Sequence, residues 1–500
     1  MKKQMTKMKD DLFADGMTRR MAPAAGPNEN IIHVLRSIPP AHIRTTMKGI
    51  KSNFLLCLLS LGIGGLFANT CGADTPPTAD ELLQRINTLE QQVHSLQQQQ
   101  VAAQNTVDKA AHNMPVITVG ASGFSFRSAD TNFVINFHGV AQVDDRTFFD
   151  DGGTSGNDGF LVRRLRPILS GTVFRNYNYV FMPEFGGTSV GIQDAYVNYH
   201  YSPALQLQVG KFKSPVGLEY LQSCVNILFN ERSLASALVP YRDLGVELHG
   251  DLLGGRVNYA VGVFNGVADG ANTTGKDYND DKEIAGRVFA DPFKKSHVAA
   301  LQGIGVGVGG SYAHETTATS LTAGYKTDGQ QKWFAYSSSV VGNGDHWRVS
   351  PQGSYYFGPF GMMGEYVLSS QRVTSGAASA ILKNHAWDVA ASWILTGEKN
   401  GYKGITPAKP FDPMQGQWGA WELAARYAEL SVDSAAFPTF ASASTSASEA
   451  KAWSVGLNWW LNKDVRLMTS YSRTTFSGGA SGSVTRQPEN VIFTRVQLAF

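Results

Sequence analysis

Three cysteines in 500 residues offer no disulfide framework, and long hydrophobic runs are nearly as scarce. A polytopic helical membrane protein needs several apolar stretches of about 20 residues. This chain has one candidate, near its start, and a mean hydropathy of −0.17. Charge is sparse too, at 17%, below the roughly one quarter of ordinary globular chains. That shortage, beside 52 glycines and 11% aromatics, disfavours a disordered chain and a coiled-coil rod. The 11 histidines fall in no spacing that assembles a Ser/His or Asp/His constellation or a metal motif. No glycine-rich phosphate cradle follows a strand and opens a helix, so no enzyme activity, metal, cofactor or nucleic-acid partner is expected. Asp144-Asp145 and Asp280-Asp281 resemble cation-binding loop pairs, but isolated acidic pairs are usually just solvated.

The single apolar run, residues 54–67, follows Lys48 and Lys51 and exits through Cys71-Gly72-Ala73. A basic start, an apolar core of this length and small residues at the end describe a secretory signal peptide, cleaved after Ala73. A membrane anchor is the alternative, for which the run is short. Residues 47–73 are therefore read as the signal. Residues 1–46 are read as a leader upstream of a true start at Met47, the alternative being an unusually long basic region. Without residues 1–73 the chain keeps 33 Lys and Arg against 37 Asp and Glu. An anionic ligand would then have to be recognised by local clusters, because the global field does not attract it. Cys57 and Cys71 leave with the signal, and Cys224 has no intramolecular disulfide partner.

Residues 74–114 carry a short heptad seam of Leu82, Ile86, Leu89, Val93 and Leu96 among polar residues. So short a helix is marginal alone and implies self-association as a coiled coil. An amphipathic helix lying on the rest of the protein is the other reading. Residues 97–113 read as a linker.

From residue 115 to 500 the period becomes two, in segments of about seven to ten residues separated by Gly, Asn, Asp and Ser. Val197, Tyr199 and Tyr201 share one face, Asn198 and His200 the other. Leu423 and Tyr427 alternate with Glu422 and Arg426, and Val455, Leu457 and Trp459 with Ser454 and Asn458. A soluble β-sandwich for periplasmic binding or adhesion would alternate likewise. Three features favour the inverted arrangement, a transmembrane barrel that is apolar outside and polar inside. Aromatics cluster at segment ends, as in Trp459-Trp460 and Tyr355-Tyr356-Phe357. The chain carries an export signal. Its last segment ends on Phe500, with Leu498, Val496 and Ile492 on one face and Gln497 and Arg495 on the other, which resembles the assembly signal of bacterial outer-membrane barrels. About 385 residues at roughly 23 per strand fit 16 antiparallel strands, a size that leaves an aqueous channel. Residues 434–451, 374–384 and 477–486 are expected to be long external loops, since turns at the periplasmic end of such barrels are short.

Between residues 159 and 266 the sequence resembles a known family. The motifs Gly159-Phe-Leu-Val-Arg-Arg-Leu-Arg-Pro167, Asp194-Ala-Tyr-Val-Asn198, Val209-Gly-Lys-Phe-Lys-Ser-Pro-Val-Gly-Leu-Glu219, Glu231-Arg-Ser233 and Val239-Pro-Tyr-Arg-Asp-Leu-Gly-Val246 resemble the phosphate-selective porins O and P. Ala424-Ala-Arg-Tyr-Ala428 and Gly456-Leu-Asn-Trp-Trp-Leu461 are later landmarks. The resemblance implies a homotrimer of 16-stranded outer-membrane barrels, each pore narrowed by an inward-folded loop. It also implies passive diffusion of phosphate or other small anions past arginines and lysines, and an N-terminal helix in the periplasm. The barrel assembly machinery and outer-membrane lipid are the remaining expected partners.

The residues themselves support this in part. Arg163, Arg164 and Arg166 place three cations within four residues, and guanidinium forks match phosphate oxygens. Residues 214–250 alternate poorly, as a constriction loop would; Arg232 and Arg242 lie there beside Glu231 and Asp243. The alternatives are bland. The three arginines could sit at headgroups, and a regular strand would point Arg163 and Arg164 to opposite faces. Lys211 and Lys213 share parity with Leu205, Leu207 and Val209, which would put both in lipid unless the strand ends or bulges at Gly210. Arg232 and Arg242 could pair with their neighbouring acids as scaffold. Other basic residues, among them Arg256, Arg287, Arg348, Arg426, Arg466 and Arg495, are scattered, and a mixed-charge, weakly selective pore is the second reading.

Overall fold

The computed structural model describes residues 78–112, 114–120, 123–149, 156–187, 189–273, 275, 280–321 and 323–500. The proposed leader and signal lie outside them. The first described element is an α-helix, Ala79–His112. It starts in a reciprocal cap, in which Thr78 N donates to Glu81 Oε2 at 3.1 Å and Glu81 N to Thr78 Oγ1 at 3.4 Å. The seam residues Leu82, Ile86, Leu89, Val93 and Leu96 are all exposed. The helix runs through residues 97–112, where a linker was expected. Gln and Ala are good helix formers and no Gly or Pro interrupts them.

The remaining residues fold separately, into a closed antiparallel barrel. A short hairpin, β1 (Val116–Gly120) and β2 (Gly123–Arg127), pairs onto the start of β3 (Val134–Phe149). The wall continues through β4 (Gly159–Val173), β5 (Tyr177–Glu184), β6 (Gly191–Ser202), β7 (Leu205–Lys213), β8 (Arg242–Leu252), β9 (Val257–Phe264), β10 (Glu283–Ala290) and β11 (Ile304–Ser320). After a two-stranded flap, β12 (Tyr325–Lys326) and β13 (Lys332–Phe334), it resumes as β14 (Val341–Phe357), β15 (Phe360–Ser375), β16 (Ala378–Ile394), β17 (Ala420–Ser431), β18 (Ala447–Trp460), β19 (Val465–Gly478) and β20 (Glu489–Ala499). Each wall strand pairs with the next, and β20 pairs with β3 from Ala499↔Val140 to Asn490↔Phe149. Sixteen strands thus close on themselves, which removes the sandwich reading. Phe500 completes the seam by exchanging backbone hydrogen bonds with Gly139, both 3.1 Å.

Burial shows which face is which. Val455 and Leu457 are exposed while Ser454 and Asn458 on either side of them are buried; Val496 is 51% exposed and Arg495 fully buried. The apolar face looks outward, as lipid requires and water does not. Two rows of outward aromatics bracket this band. One contains the Trp421–Trp459 stack (4.8 Å), the other Trp387–Tyr427 (5.2 Å) and Trp453–Tyr471 (5.1 Å).

Two expectations about connections fail. Residues 374–384 form no loop, because β15 and β16 run on to a tight turn at Gly376 (φ +58°). Nor are all connections short at the end where the chain terminates: residues 395–419 enter the lumen there. Tyr402 Oη donates to Leu218 O at 2.7 Å, and Gln222 Nε2 donates to Tyr402 O at 2.8 Å.

Candidate pore constriction

The loop between β7 and β8, residues 214–241, folds into the barrel. Its short helices, Leu218–Leu221 and Leu234–Leu238, present Leu234, Leu238 and Val239 to an apolar inner patch of β15, β16 and β17 that includes Val367, Ala386, Ala428 and Leu430. Alanine on that inner face leaves room for the loop. Polar wall residues then fasten it. Glu365 accepts from Leu218 N and Glu219 N at 2.8 and 3.0 Å, Arg466 Nη1 donates to Ile227 O at 2.9 Å, and Gln497 Nε2 donates to Val225 O at 3.1 Å. Buried backbone groups are thereby satisfied inside the lumen. With the loop held to one wall, open space remains along β3, β4, β5, β6 and β8.

That space is lined by cations. A cavity of about 380 Å³ reaches Arg166, Arg242, Lys213 and Cys224, and one of about 350 Å³ reaches Glu231, Gly270 and Lys326. Both are lined by Arg163, Arg164, Tyr220, Arg232 and Tyr241, which therefore mark the junction between them. Six of the seven residues singled out in the sequence line the first cavity, and three of them, Arg163, Arg164 and Arg232, stand at its junction with the second. Lys211 is the exception: it stands apart, its Nζ donating to Thr273 O at 2.8 Å.

A bulge explains the arginines. Across β3 and β4, Gln142 faces Arg164 but Val143 faces Val162, so Arg163 is the extra residue. Outward side chains accordingly step from Val162 to Leu165, and Arg163 and Arg164 both turn inward, where a regular strand would have separated them. The β7 lysines avoid lipid differently. The ladder continues to Lys213 without a slip, so the strand neither ends nor shifts register at Gly210. Instead Gly210 adopts φ +134°, and a Cβ there would lie 2.2 Å from Ala195 O. Beyond it Lys213 Nζ donates to Leu221 O and Gln222 O at 3.0 and 2.9 Å.

The expected neighbour pairs are also replaced. Arg232 bonds loop carbonyls, those of Glu219 at 3.2 Å and Gln222 at 2.9 Å, with its guanidinium 5.0 Å over Tyr220, which stacks on Tyr241 at 4.0 Å. Arg242 pairs with Asp194 across the wall at 2.8 Å, and Arg166 with Glu184 at 2.5 Å. Glu231 sits instead among arginines that adjacency does not reveal: Arg163 (2.5 and 2.9 Å), Arg146 (3.1 Å), Arg164 (3.8 Å) and Arg495 (3.9 Å). Asp144 is no cation-binding loop residue; it lies within β3 and takes both forks of Arg495 at 2.6 and 2.7 Å.

Charge on the loop follows from these neighbours. Burial raises the Glu231 carboxyl, but Arg163, Arg164 and Arg495 outweigh it and hold the group well below the usual carboxylate range. Burial likewise raises the Cys224 thiol, and Arg164, Arg166, Arg232 and Lys213 more than reverse this, bringing it down to about 7. Arg166 Nη1 lies 3.3 Å from Cys224 Sγ.

A closed 16-stranded wall and a lumen-folded loop over a cationic lining describe a water-filled channel. The profile of the phosphate-selective porin O and P family matches residues 135–500. The chain belongs to that family. As a porin O and P protein it is a channel of the bacterial outer membrane. It is 26% identical to Porin O of Pseudomonas aeruginosa over 384 residues, 70% of this chain and 84% of that one. Its fold resembles the outer-membrane channel DcaP of Acinetobacter baumannii, with a TM-score of 0.50 and 11% identity, over 76% of this chain and 100% of the other.

Proposed function

We propose that this porin passes small anions, with phosphate or polyphosphate the preferred cargo, by passive diffusion past Arg163, Arg164, Arg166, Lys213, Arg232 and Arg242, with Lys211 at the margin. The observation that carries this is the arginine pair Arg163 and Arg164 at the junction of the two cavities. Fixed cations beside low-dielectric protein raise local anion occupancy, and several weak sites in sequence let each ion leave. The family description supports phosphate as cargo. The outward apolar band contacts outer-membrane lipid, the strand ending at Phe500 is read by the barrel assembly machinery, and three copies assemble, helped by the exposed heptad seam.

A weakly selective pore is the second reading, favoured by one observation: Glu184 and Asp194 offset Arg166 and Arg242. Proteoliposomes separate the two. Entry of phosphate much faster than entry of a cation of similar size supports the first, and equal rates support the second.

A further inference from the structure

Four guanidiniums, those of Arg146, Arg163, Arg164 and Arg495, converge on one loop carboxylate. Glu231 accepts from Arg163 Nε and Nη2 and from Arg146 Nη2, with Arg164 Nη2 and Arg495 Nη2 within 4 Å. Among the described residues the only other carboxylate bonded to these arginines is that of Asp144, which takes Arg495 bidentately and lies 3.8 Å from Arg146. Four positive charges against two negative ones leave an excess of two, the charge of a hydrogen phosphate. Donors are in excess as well. Arg495 Nη1 and Arg146 Nε are buried with no acceptor, and buried guanidinium N–H groups without partners are costly. The cluster thus has charge and hydrogen-bonding capacity for a further oxyanion, while Glu231 holds the place on Arg163 that the oxyanion would contest.

We propose that Glu231 is a built-in anion, a loop carboxylate that occupies the guanidinium cluster as a competitor and so sets how tightly phosphate and other oxyanions are held at the junction. The inference rests on the anion-channel reading above. Three features suit the role. Glu231 belongs to the inserted loop, whereas its four arginines belong to β3, β4 and β20, so the contact joins loop to wall at the point both cavities share. Its charge persists across the working pH range, because the arginines stabilise the ionised form. And Arg163, its bidentate partner, is the most accessible of the four, with 27% of its side chain exposed; it is the one an incoming ion meets. Phosphate arriving from either side would share Arg163 and Arg164 with Glu231, which keeps the site occupied but not saturated and favours release over trapping.

The test is phosphate block of chloride current through purified channels in planar bilayers, comparing wild type with Glu231→Gln and Glu231→Asp. One unit charge about 5 Å from a dianion in water changes its occupancy by about tenfold. Glu231→Gln is therefore expected to lower the half-blocking phosphate concentration about tenfold and to shift the reversal potential toward greater anion selectivity. Glu231→Asp, whose carboxylate is retracted from Arg163, is expected to lower it two- to threefold. If Glu231 merely positioned the arginines, both variants would raise the half-blocking concentration or leave it unchanged, and the proposal would be overturned. Should Glu231→Gln not assemble, the direction of the Glu231→Asp shift decides. A wild-type channel indifferent to phosphate whose Glu231→Gln variant is blocked would sink the cargo assignment and uphold the competitor. Indifference in all three would overturn both.

Discussion

Replacing Arg163 and Arg164 together by glutamine removes the two wall charges common to both cavities. In water a unit charge about 4 Å from an anion is worth about 1 kcal/mol. Losing two costs about 2 kcal/mol per negative charge on the ion, or roughly thirtyfold in occupancy. The half-blocking phosphate concentration should rise at least that much, and each single variant should show about fivefold. The barrel should still assemble. Glu231 keeps Arg146 at 3.1 Å, and Gln142, which Arg164 contacts at 2.6 Å, keeps Gln497 at 2.7 Å. The assay is phosphate block of single-channel chloride current, with heat-modifiable migration as the control for folding. A folded, conducting double variant whose half-block moves by less than threefold would refute the reasoning, since it would place the selective element elsewhere.

Alkylation of Cys224 should follow a thiol that ionises near pH 7: the rate climbs as pH rises through 7 and levels above it, whereas an ordinary thiol would turn near pH 8.5. An anionic methanethiosulfonate should modify it faster than a cationic one of equal size, and the opposite order would contradict a cationic lumen. Deleting Phe500 removes both backbone bonds to Gly139 and the ring's edge contact with Phe124 at 6.4 Å; the folded fraction in outer membranes should fall while the channels that do form conduct normally. Arg426→Met strips Glu219 and Asp328 of their shared guanidinium, at 3.3 and 2.8 Å. Breaking one side of a buried ion network costs about 3 to 5 kcal/mol, so the heat-modifiability transition should drop by several degrees and open-channel noise should rise as the loop loosens.

Strands such as β17, β18 and β20 were plain in the sequence because period two survives wherever one face meets lipid, and Arg495 and Arg426 sit on the polar face that alternation assigned to them. The junction was harder to see. Its arginines face inward only because β4 carries an extra residue at Arg163, and a one-residue bulge leaves alternation on either side intact while reversing its phase; the step from Val162 to Leu165 in a run of otherwise even spacing was the available signal. Partners distant in sequence were invisible, so adjacency offered Glu231 only Arg232 as a partner and none of the four arginines it meets. Arg495 reaches the cluster through closure of the barrel, which brings β20 against β3, whereas Arg146 lies on β3 beside β4. The inward course of residues 395–419 had no periodic signature at all, since a chain that fills a lumen obeys neither the lipid nor the water pattern.

The most direct test of the central claim is the reversal potential of wild-type channels in a planar bilayer under a potassium chloride gradient, followed by stepwise phosphate on the same membrane. A potential close to that of an anion-selective pore, with current falling as phosphate reaches micromolar to millimolar levels, is the predicted result. A potential near zero and a current indifferent to phosphate would leave the porin barrel in place and contradict the anion-selective constriction.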